Sequence, residues 1–264
     1  MNLRLYVPAP LQAGAALTLP PGAARHAQVR RVQPGDMLWL FNGSGSDWPA
    51  QVLAMGRHSV DVQLGDPVPG IGPLPVAVTL AVGMPANERM DTLVEKAAEL
   101  GVAAIQPLVC ERSVLRLAGE RAERKREHWQ AIAEAACEQC GRSDVPLLHP
   151  VVALPTWLST LAPAAASAAL RLVLSLQPAA RALPALPALA ALSSLTDATM
   201  NGNGATAVLG LSGPEGGLSP AEESAALAAG FAPVGLGPRV LRADTAPLAL
   251  LAWIAVHATH PQTG

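Results

Sequence analysis

The stretch from Ala207 to Glu223, AVLGLSGPEGGLSPAEE, holds the residues with the most scope for chemistry. Val208, Leu209 and Leu211 make an apolar run of strand type, while Gly210, Gly213, Gly216 and Gly217 permit a sharp turn or a close backbone approach to a ligand. Ser219 and Glu222 stand at the S-x-x-E spacing of a capping box, with Pro220 at the first helical position. A strand, a glycine loop and a helix start, in that order, form the usual ligand position of an α/β sheet. A phosphate cradle wants backbone N–H groups with a lysine or arginine, and the G-x-x-x-x-G-K-[ST] pattern is absent. Glu215, in mid-loop, would repel phosphate and tolerate a cationic or neutral adenosine-type ligand. The same residues also read as a plain tight turn between strand and helix.

A second polar loop follows in LGPRVLRADTA, residues 236–246, between the short apolar strand FAPVGLG and an apolar closing helix. It carries Arg239, Arg242, Asp244 and Thr245. Two such loops in succession predict one shared pocket.

The elements that position these loops are legible as a β-α-β pattern. VAVTLAVG reads as a buried strand of parallel-sheet type. The helix predicted over Glu88 to Leu100 places Met90, Leu93, Val94, Ala97 and Leu100 on one face, and Gly101 ends it. VAAIQPLV is the next strand, and Glu111, Arg112 and Ser113 form a polar cluster at its carboxyl end. A helix over Glu120 to Cys140 starts with a charged segment, diluted in sign and read as a solvated face, and closes on Gln139 and Arg142 beside a turn. RLVLSL, residues 171–176, is a further buried strand. Residues 177–205, rich in Ala, Pro and Gly, read as a flexible connection with little helix and no chemistry.

Ahead of this lies a β-rich module of short strands, with Asn42-Gly43 as a hairpin turn. Within it ARHAQVRRV is a short helix or loop bearing Arg25, His26, Arg30 and Arg31, suited either to a solvated face or to RNA phosphates. The proline- and glycine-rich DPVPGIGPLP, residues 66–75, reads as the linker, giving expected domains of 1–70 and 74–264.

Composition bounds the function. The 264 residues are enough for one large or two ordinary domains, and a formal net charge of −2 gives no global nucleic-acid signature. Lys96 and Lys125 are the only lysines among the 18 basic residues, a bias that either phosphate binding or a GC-rich genome produces. MNLRLYVPAP lacks signal-peptide character, and Arg171, Arg181 and prolines interrupt the apolar stretch 158–195, so no transmembrane helix is expected. Cys110, Cys137 and Cys140 fit a reducing cytoplasm. The C-x-x-C of Cys137 and Cys140 lies at a helix end without a second ligand pair, which favours buried helix cysteines over a metal or redox site.

GPEGGLSPAEE followed by LGPRVLRADTA resembles the paired loops of the RsmE family, the SPOUT-class methyltransferases that act on N3 of a uridine in small-subunit ribosomal RNA. EKAAELGV at 95–102, PLVCERS at 107–113 and EAACEQCGRSDVP at 134–146 agree in order, and VRRVQPGD with LFNGSG is similar to that family's PUA-like RNA-binding barrel. The resemblance covers nearly the whole chain. It implies an α/β SPOUT domain with a parallel sheet and a deep trefoil knot, an N-terminal PUA-like β-barrel, a homodimer, S-adenosyl-L-methionine as cofactor, and no metal. The implied cofactor loops are Leu174, Ser175 and Leu176; Gly210, Leu211, Ser212, Gly213, Pro214, Glu215 and Gly216; and Leu236, Gly237, Arg239, Val240, Leu241, Arg242, Thr245 and Ala246. Leu211, Leu236 and Leu241 would flank the adenine.

The family usually reads LRTETA where this chain has Leu241-Arg242-Ala243-Asp244-Thr245-Ala246, one hydroxyl lost and one acid shortened, and it often has a basic residue at or close to Asn87. Uracil N3 is an imide nitrogen that must lose its proton or have its anion stabilised before it is methylated. Arg242 is expected to steady the uracilate, with Glu215 or Asp244 as the base; the alternative is that Arg242 and Asp244 only pair to fix the loop. Arg25, Arg30, Arg31, Arg112, Gln139 and Arg142 are the expected RNA contacts. A SPOUT enzyme acting on another RNA and a non-enzymatic assembly factor are the rival readings.

Overall fold

A computed structural model describes residues 3–86, 88–163, 169–178, 180–183 and 207–257. The chain divides into two compact units, Met1–Pro73 with Glu134–Val145, and Leu74–Ala133 with Pro146–Gly264.

The first unit contains β1 (Arg4–Tyr6), β2 (Ala16–Thr18), α1 (Pro21–Val29), β3 (Met37–Phe41), β4 (Ser46–Met55), β5 (Val60–Leu64) and β6 (Val68–Pro69). Its sheet runs β1-β3-β4-β5-β2, parallel between β1 and β3 and antiparallel elsewhere. The alternation of strand residues buries Leu38 and Leu40 of β3, Val52 of β4, and Val60, Val62 and Leu64 of β5 in one core. Ala23, Ala24 and Ala27, at helical spacing and small enough for close approach, put α1 into that core and leave Arg25 and Arg30 outside.

The proline-rich stretch expected to be a linker is largely part of this unit. Val68 and Pro69 pair with Asp47 and Ser46 at the start of β4, and Ile71 bridges to Arg142. Proline is tolerated there because the edge of a sheet does not need its missing N–H. Residues 134–145 fasten to the same unit through polar bonds. Tyr6 N donates to Glu138 Oε1 at 2.8 Å, Arg4 Nη2 donates to Arg142 O at 3.1 Å, and Ser143 Oγ donates to Asp47 Oδ1 at 2.7 Å.

The second unit is an all-parallel α/β sheet. Its elements are β7 (Ala77–Gly83), α2 (Arg89–Glu99), β8 (Ala104–Val109), α3 (Gly119–Cys140, whose last turns belong to the first unit), β9 (Leu147–Leu148), β10 (Val152–Ala153), α4 (Leu154–Thr160), β11 (Leu170–Leu174), β12 (Arg181–Ala182), β13 (Ala207–Ser212), α5 (Pro220–Ala228), β14 (Ala232–Gly235) and α6 (Thr245–His257). The strand order is β10-β8-β7-β13-β11-β14-β12, with β9 beside β8. β13 lies between β7 and β11, so the loop that leaves it has a strand end on either side.

Helices cover both faces of the sheet. Ala81, Leu108, Val173 and Leu211 pack with Leu154 and Trp157 of α4, Ala226 of α5 and Phe231. On the other face α6 lies against β7, β13 and α2, and buries Leu250, Leu251 and Ile254. Residues 177–205 were read as a flexible connection with little helix, and within them Arg181–Ala182 add β12 to the edge of the sheet beside β14. Residues 179 and 184–205 of that segment, and Asn87, lie outside the described residues.

Candidate functional site

The glycine loop forms as its residues require. Ser219 Oγ accepts from Glu222 N at 3.3 Å and Ser219 N donates to Glu222 Oε2 at 2.9 Å, completing the capping box at the start of α5. Gly217 N closes a turn onto Pro214 O at 2.8 Å, and Gly217 adopts φ 68, the left-handed region that favours glycine.

Side chains from two neighbouring loops then brace this one. Glu222, 7 % exposed, also accepts from Glu111 N through Oε1 at 2.7 Å, tying the turn after β8 to the helix cap. Arg112 Nη1 donates to Gly216 O at 3.0 Å and to Leu218 O at 3.3 Å. Glu215 Oε1 accepts from Ala86 N at 2.9 Å and stands 3.5 Å from Arg89 Nη1, fastening the loop after β7.

The loop walls a cavity of about 930 Å³ at the carboxyl ends of β11, β13 and β14, a volume suited to a nucleoside-sized ligand. Of the residues singled out in the sequence, Leu174, Ser175 and Leu176 line it from β11, and Ser212, Gly213, Pro214, Glu215 and Gly216 from the glycine loop. Leu236, Gly237, Arg239, Val240, Leu241, Arg242 and Ala246 line it from the loop that follows β14. The two polar loops thus meet around one cavity, as their succession in the sequence predicts.

Four residues of the expected site stand apart from the wall. Gly210 faces the packing between sheet and α6, where a Cβ would come 2.7 Å from Leu250 Cδ2, so its small size serves the core and not ligand approach. Leu211 is fully buried in the core, and Asp244 and Thr245, at the start of α6, are not part of the cavity lining. Arg242 and Asp244 form no ion pair among the described residues, and Asp244 Oδ1 is shielded without a hydrogen-bond partner.

The expected RNA contacts separate in the same way. Arg25, Arg30 and Arg31 are exposed on α1 and the turn after it, with Arg31 at φ 57, and Gln139 is exposed on α3. Arg142 is only 4 % exposed; its Nε donates to Asp144 Oδ1 at 3.1 Å and Arg4 Nη2 donates to its carbonyl at 3.1 Å. This guanidinium is spent inside the first unit and does not reach a surface. Arg112 lines the cavity, but its Nη1 is committed to the glycine loop.

Several lining residues were missed in the sequence, three of them with polar side chains. Arg89, Gln177 and Glu223 all line the cavity. Arg89 opens α2, directly after the strand next to β13, and a parallel pairing of β7 with β13 was the signal needed to see it. Glu223 sits one residue beyond the capping glutamate and so points to a different side of α5.

The cysteines belong to the packing. Burial pushes the thiols of Cys110 and Cys137 up to about 12, so both are protonated and unreactive near neutrality. Among the described residues no group of His, Cys, Asp and Glu is arranged to hold a metal ion, and no helix is long and apolar enough to cross a membrane.

Comparison with known proteins places these features in a family. Residues 72–255 match an RNA methyltransferase domain, and residues 19–65 match the PUA domain of RNA methyltransferases. The ribosomal RNA small subunit methyltransferase E of Synechocystis is 34 % identical over 96 % of this chain and 77 % of its own length. The protein of the same name from Bacillus subtilis is 28 % identical over 86 % of this chain and 84 % of its own.

Solved structures agree. A ribosomal RNA small subunit methyltransferase E from Neisseria gonorrhoeae, bound to S-adenosyl methionine, matches with a TM-score of 0.83 at 31 % identity, covering 97 % of this chain and 98 % of that one. A methyltransferase from Legionella pneumophila in complex with the same cofactor matches with a TM-score of 0.85 at 31 % identity, again over 97 % and 98 % of the two chains. The chain therefore belongs to the RNA methyltransferase family whose relatives are the ribosomal RNA small subunit methyltransferases E.

Proposed function

We propose that this protein methylates N3 of a uridine in 16S ribosomal RNA, using S-adenosyl-L-methionine, on the assembled small subunit in the cytoplasm. The observation that carries this reading is the meeting of the glycine loop and the 236–246 loop around one cavity. The cofactor fits what the cavity offers. Ser212 is 3 % exposed and its Oγ has no hydrogen-bond partner, which leaves it available to a polar ligand group. Leu236 and Leu241 give apolar flanks for an adenine. When bound, the cofactor supplies a methyl carbon on a cationic sulfur, and the new N3–C bond forms as the C–S bond breaks with its electron pair passing to sulfur.

The chain's own residues have the tasks of placing the base and managing the N3 proton. Arg242, exposed at the cavity edge, is placed to stabilise the negative charge that develops on the uracil as N3 loses its proton. Of the two carboxylates proposed as base, Glu215 lines the cavity and Asp244 does not, which favours Glu215. Its Oε1 is held by Ala86 N and Arg89, so the carboxylate is fixed in position before substrate arrives. In the first unit, Arg25, Arg30 and Arg31 present exposed guanidinium groups for RNA phosphates.

The sheet order and an apolar helix support two further parts of the proposal. β13 lies between β7 and β11 although it follows both in the chain, an arrangement that fits the trefoil knot implied by the family resemblance. α6 is apolar on all sides; four of its residues face the core, yet Val256 is 78 % exposed, which fits a surface covered in a homodimer.

Nucleoside mass spectrometry of small-subunit rRNA from cells with and without this protein tests the reading. 3-Methyluridine should vanish from 16S rRNA on deletion and return on complementation. Its persistence in the deletion strain would refute the proposed target.

A further inference from the structure

Glu223 is a carboxylate in the cavity wall that the methyl-transfer reading leaves without a task. It lies in the first turn of α5, where its N–H bonds to Ser219 O at 2.9 Å and the helix end favours a negative charge. Its neighbour Glu222 turns the other way, toward Glu111. The hydroxyl of Ser175, just past the end of β11, donates to Glu223 Oε1. Ser175 is itself fixed, since its N donates to Val234 O at 3.0 Å and its Oγ accepts from Gln177 N at 3.1 Å. One oxygen of Glu223 is thereby anchored by a neutral donor beside the cavity.

The charges of the wall make this position distinct. The lining includes the guanidinium groups of Arg89, Arg112, Arg239 and Arg242 and the carboxylates of Glu215 and Glu223. Glu215 is balanced by Arg89 at 3.5 Å, whereas Glu223 has no ion pair among the described residues. S-adenosylmethionine carries a sulfonium and an ammonium group, two positive centres against one carboxylate. A wall dominated by arginine is poorly matched to such a ligand unless an unbalanced carboxylate meets its cationic part.

We propose that Glu223, aimed by Ser175, recognises the cationic methionine portion of the cofactor and makes the cavity selective for charged over neutral adenosine thioethers. The proposal rests on the cofactor reading above. It assigns Glu223 a binding role and Ser175 a positioning role, and it leaves the chemical step to the residues already named.

Calorimetry on the intact protein tests it with two probes, S-adenosylmethionine and 5′-deoxy-5′-methylthioadenosine. The second keeps the adenine and ribose but has neutral sulfur and no amino-acid group. Glu223→Gln retains an oxygen for the Ser175 hydroxyl while removing the charge. It should weaken S-adenosylmethionine about tenfold, as expected for loss of a charged hydrogen bond, and leave the thioether within about twofold. Ser175→Ala, which frees the carboxylate without removing its charge, should cost S-adenosylmethionine affinity less than Glu223→Gln does. Unchanged S-adenosylmethionine affinity in Glu223→Gln, or equal weakening of both probes as a ribose contact would give, overturns the proposal. If the wild-type protein binds no S-adenosylmethionine, the cofactor reading itself fails, which is a separate result.

Discussion

The two loops that enclose the cavity are held in opposite ways. The glycine loop is fastened by Arg112 to its carbonyls, by Glu215 to Ala86 N, and by Glu222 both to its own cap and to Glu111 N. The 236–246 loop has little of this; its described backbone bonds run from Thr245 and Ala246 to Arg242 O at 3.0 and 2.9 Å, and Val240 is 77 % exposed. Asp244 Oδ1 is shielded with nothing to accept from. One wall is thus built by the folded chain, and the other keeps its polar groups uncommitted. A preformed wall suits a cofactor bound in every cycle, and an uncommitted one suits a substrate or a second protomer that completes it.

Loss of Arg242 from the uncommitted wall should act on turnover, and loss of the contacts that brace the glycine loop should act on folding and cofactor affinity. The largest effect is expected at Arg242. Arg242→Ala should lower methyl transfer to small subunits by about 10²- to 10³-fold, the cost of removing one anion-stabilising group, with cofactor affinity nearly unchanged. A loss confined to cofactor affinity would put Arg242 in the same class as the braced loop and dissolve the contrast.

Glu222→Ala tests the brace itself. It removes a helix cap and leaves Glu111 N without its partner, a loss of about 2–3 kcal/mol that should lower the unfolding temperature by several degrees. An unchanged melting curve would show that the loop is held by other means. Arg112→Ala, which frees Gly216 O and Leu218 O, should weaken cofactor binding about tenfold without altering the salt dependence of RNA binding. A flatter salt slope with intact cofactor affinity would return Arg112 to the RNA contacts. The smallest effect is expected far from the cavity. Replacing Arg30 and Arg31 together with alanine should weaken RNA binding about uniformly across sequences and reduce the salt slope by about 2, as for two lost phosphate contacts.

The braced loop was also the more legible of the two in the sequence. Ser219, Pro220 and Glu222 announce the helix cap by local spacing, and the structure contains that cap. The apolar periodicity of Met90, Leu93, Val94 and Ala97 likewise marks the buried face of α2. What local spacing does not carry is long-range pairing. Arg142 was read as an RNA contact beside a turn, but it is buried, and Arg4, distant in sequence, donates to its carbonyl. Pro69 looked like linker because proline breaks local structure, and only the edge of β4 gives it a partner. Glu223 and Arg89 become wall residues through β11 and β13, distant in sequence from Arg89 and set beside each other by the sheet.

The most direct measurement is a reconstituted reaction with the purified protein, small ribosomal subunits lacking the modification, and S-adenosylmethionine carrying a deuterated methyl group. Mass analysis of the digested 16S rRNA should then find the label in 3-methyluridine, present with wild-type protein and reduced at least about a hundredfold with Arg242→Ala. Label in another nucleoside, or none despite measured binding of the cofactor, would contradict the assignment of this cavity to uracil N3 methylation.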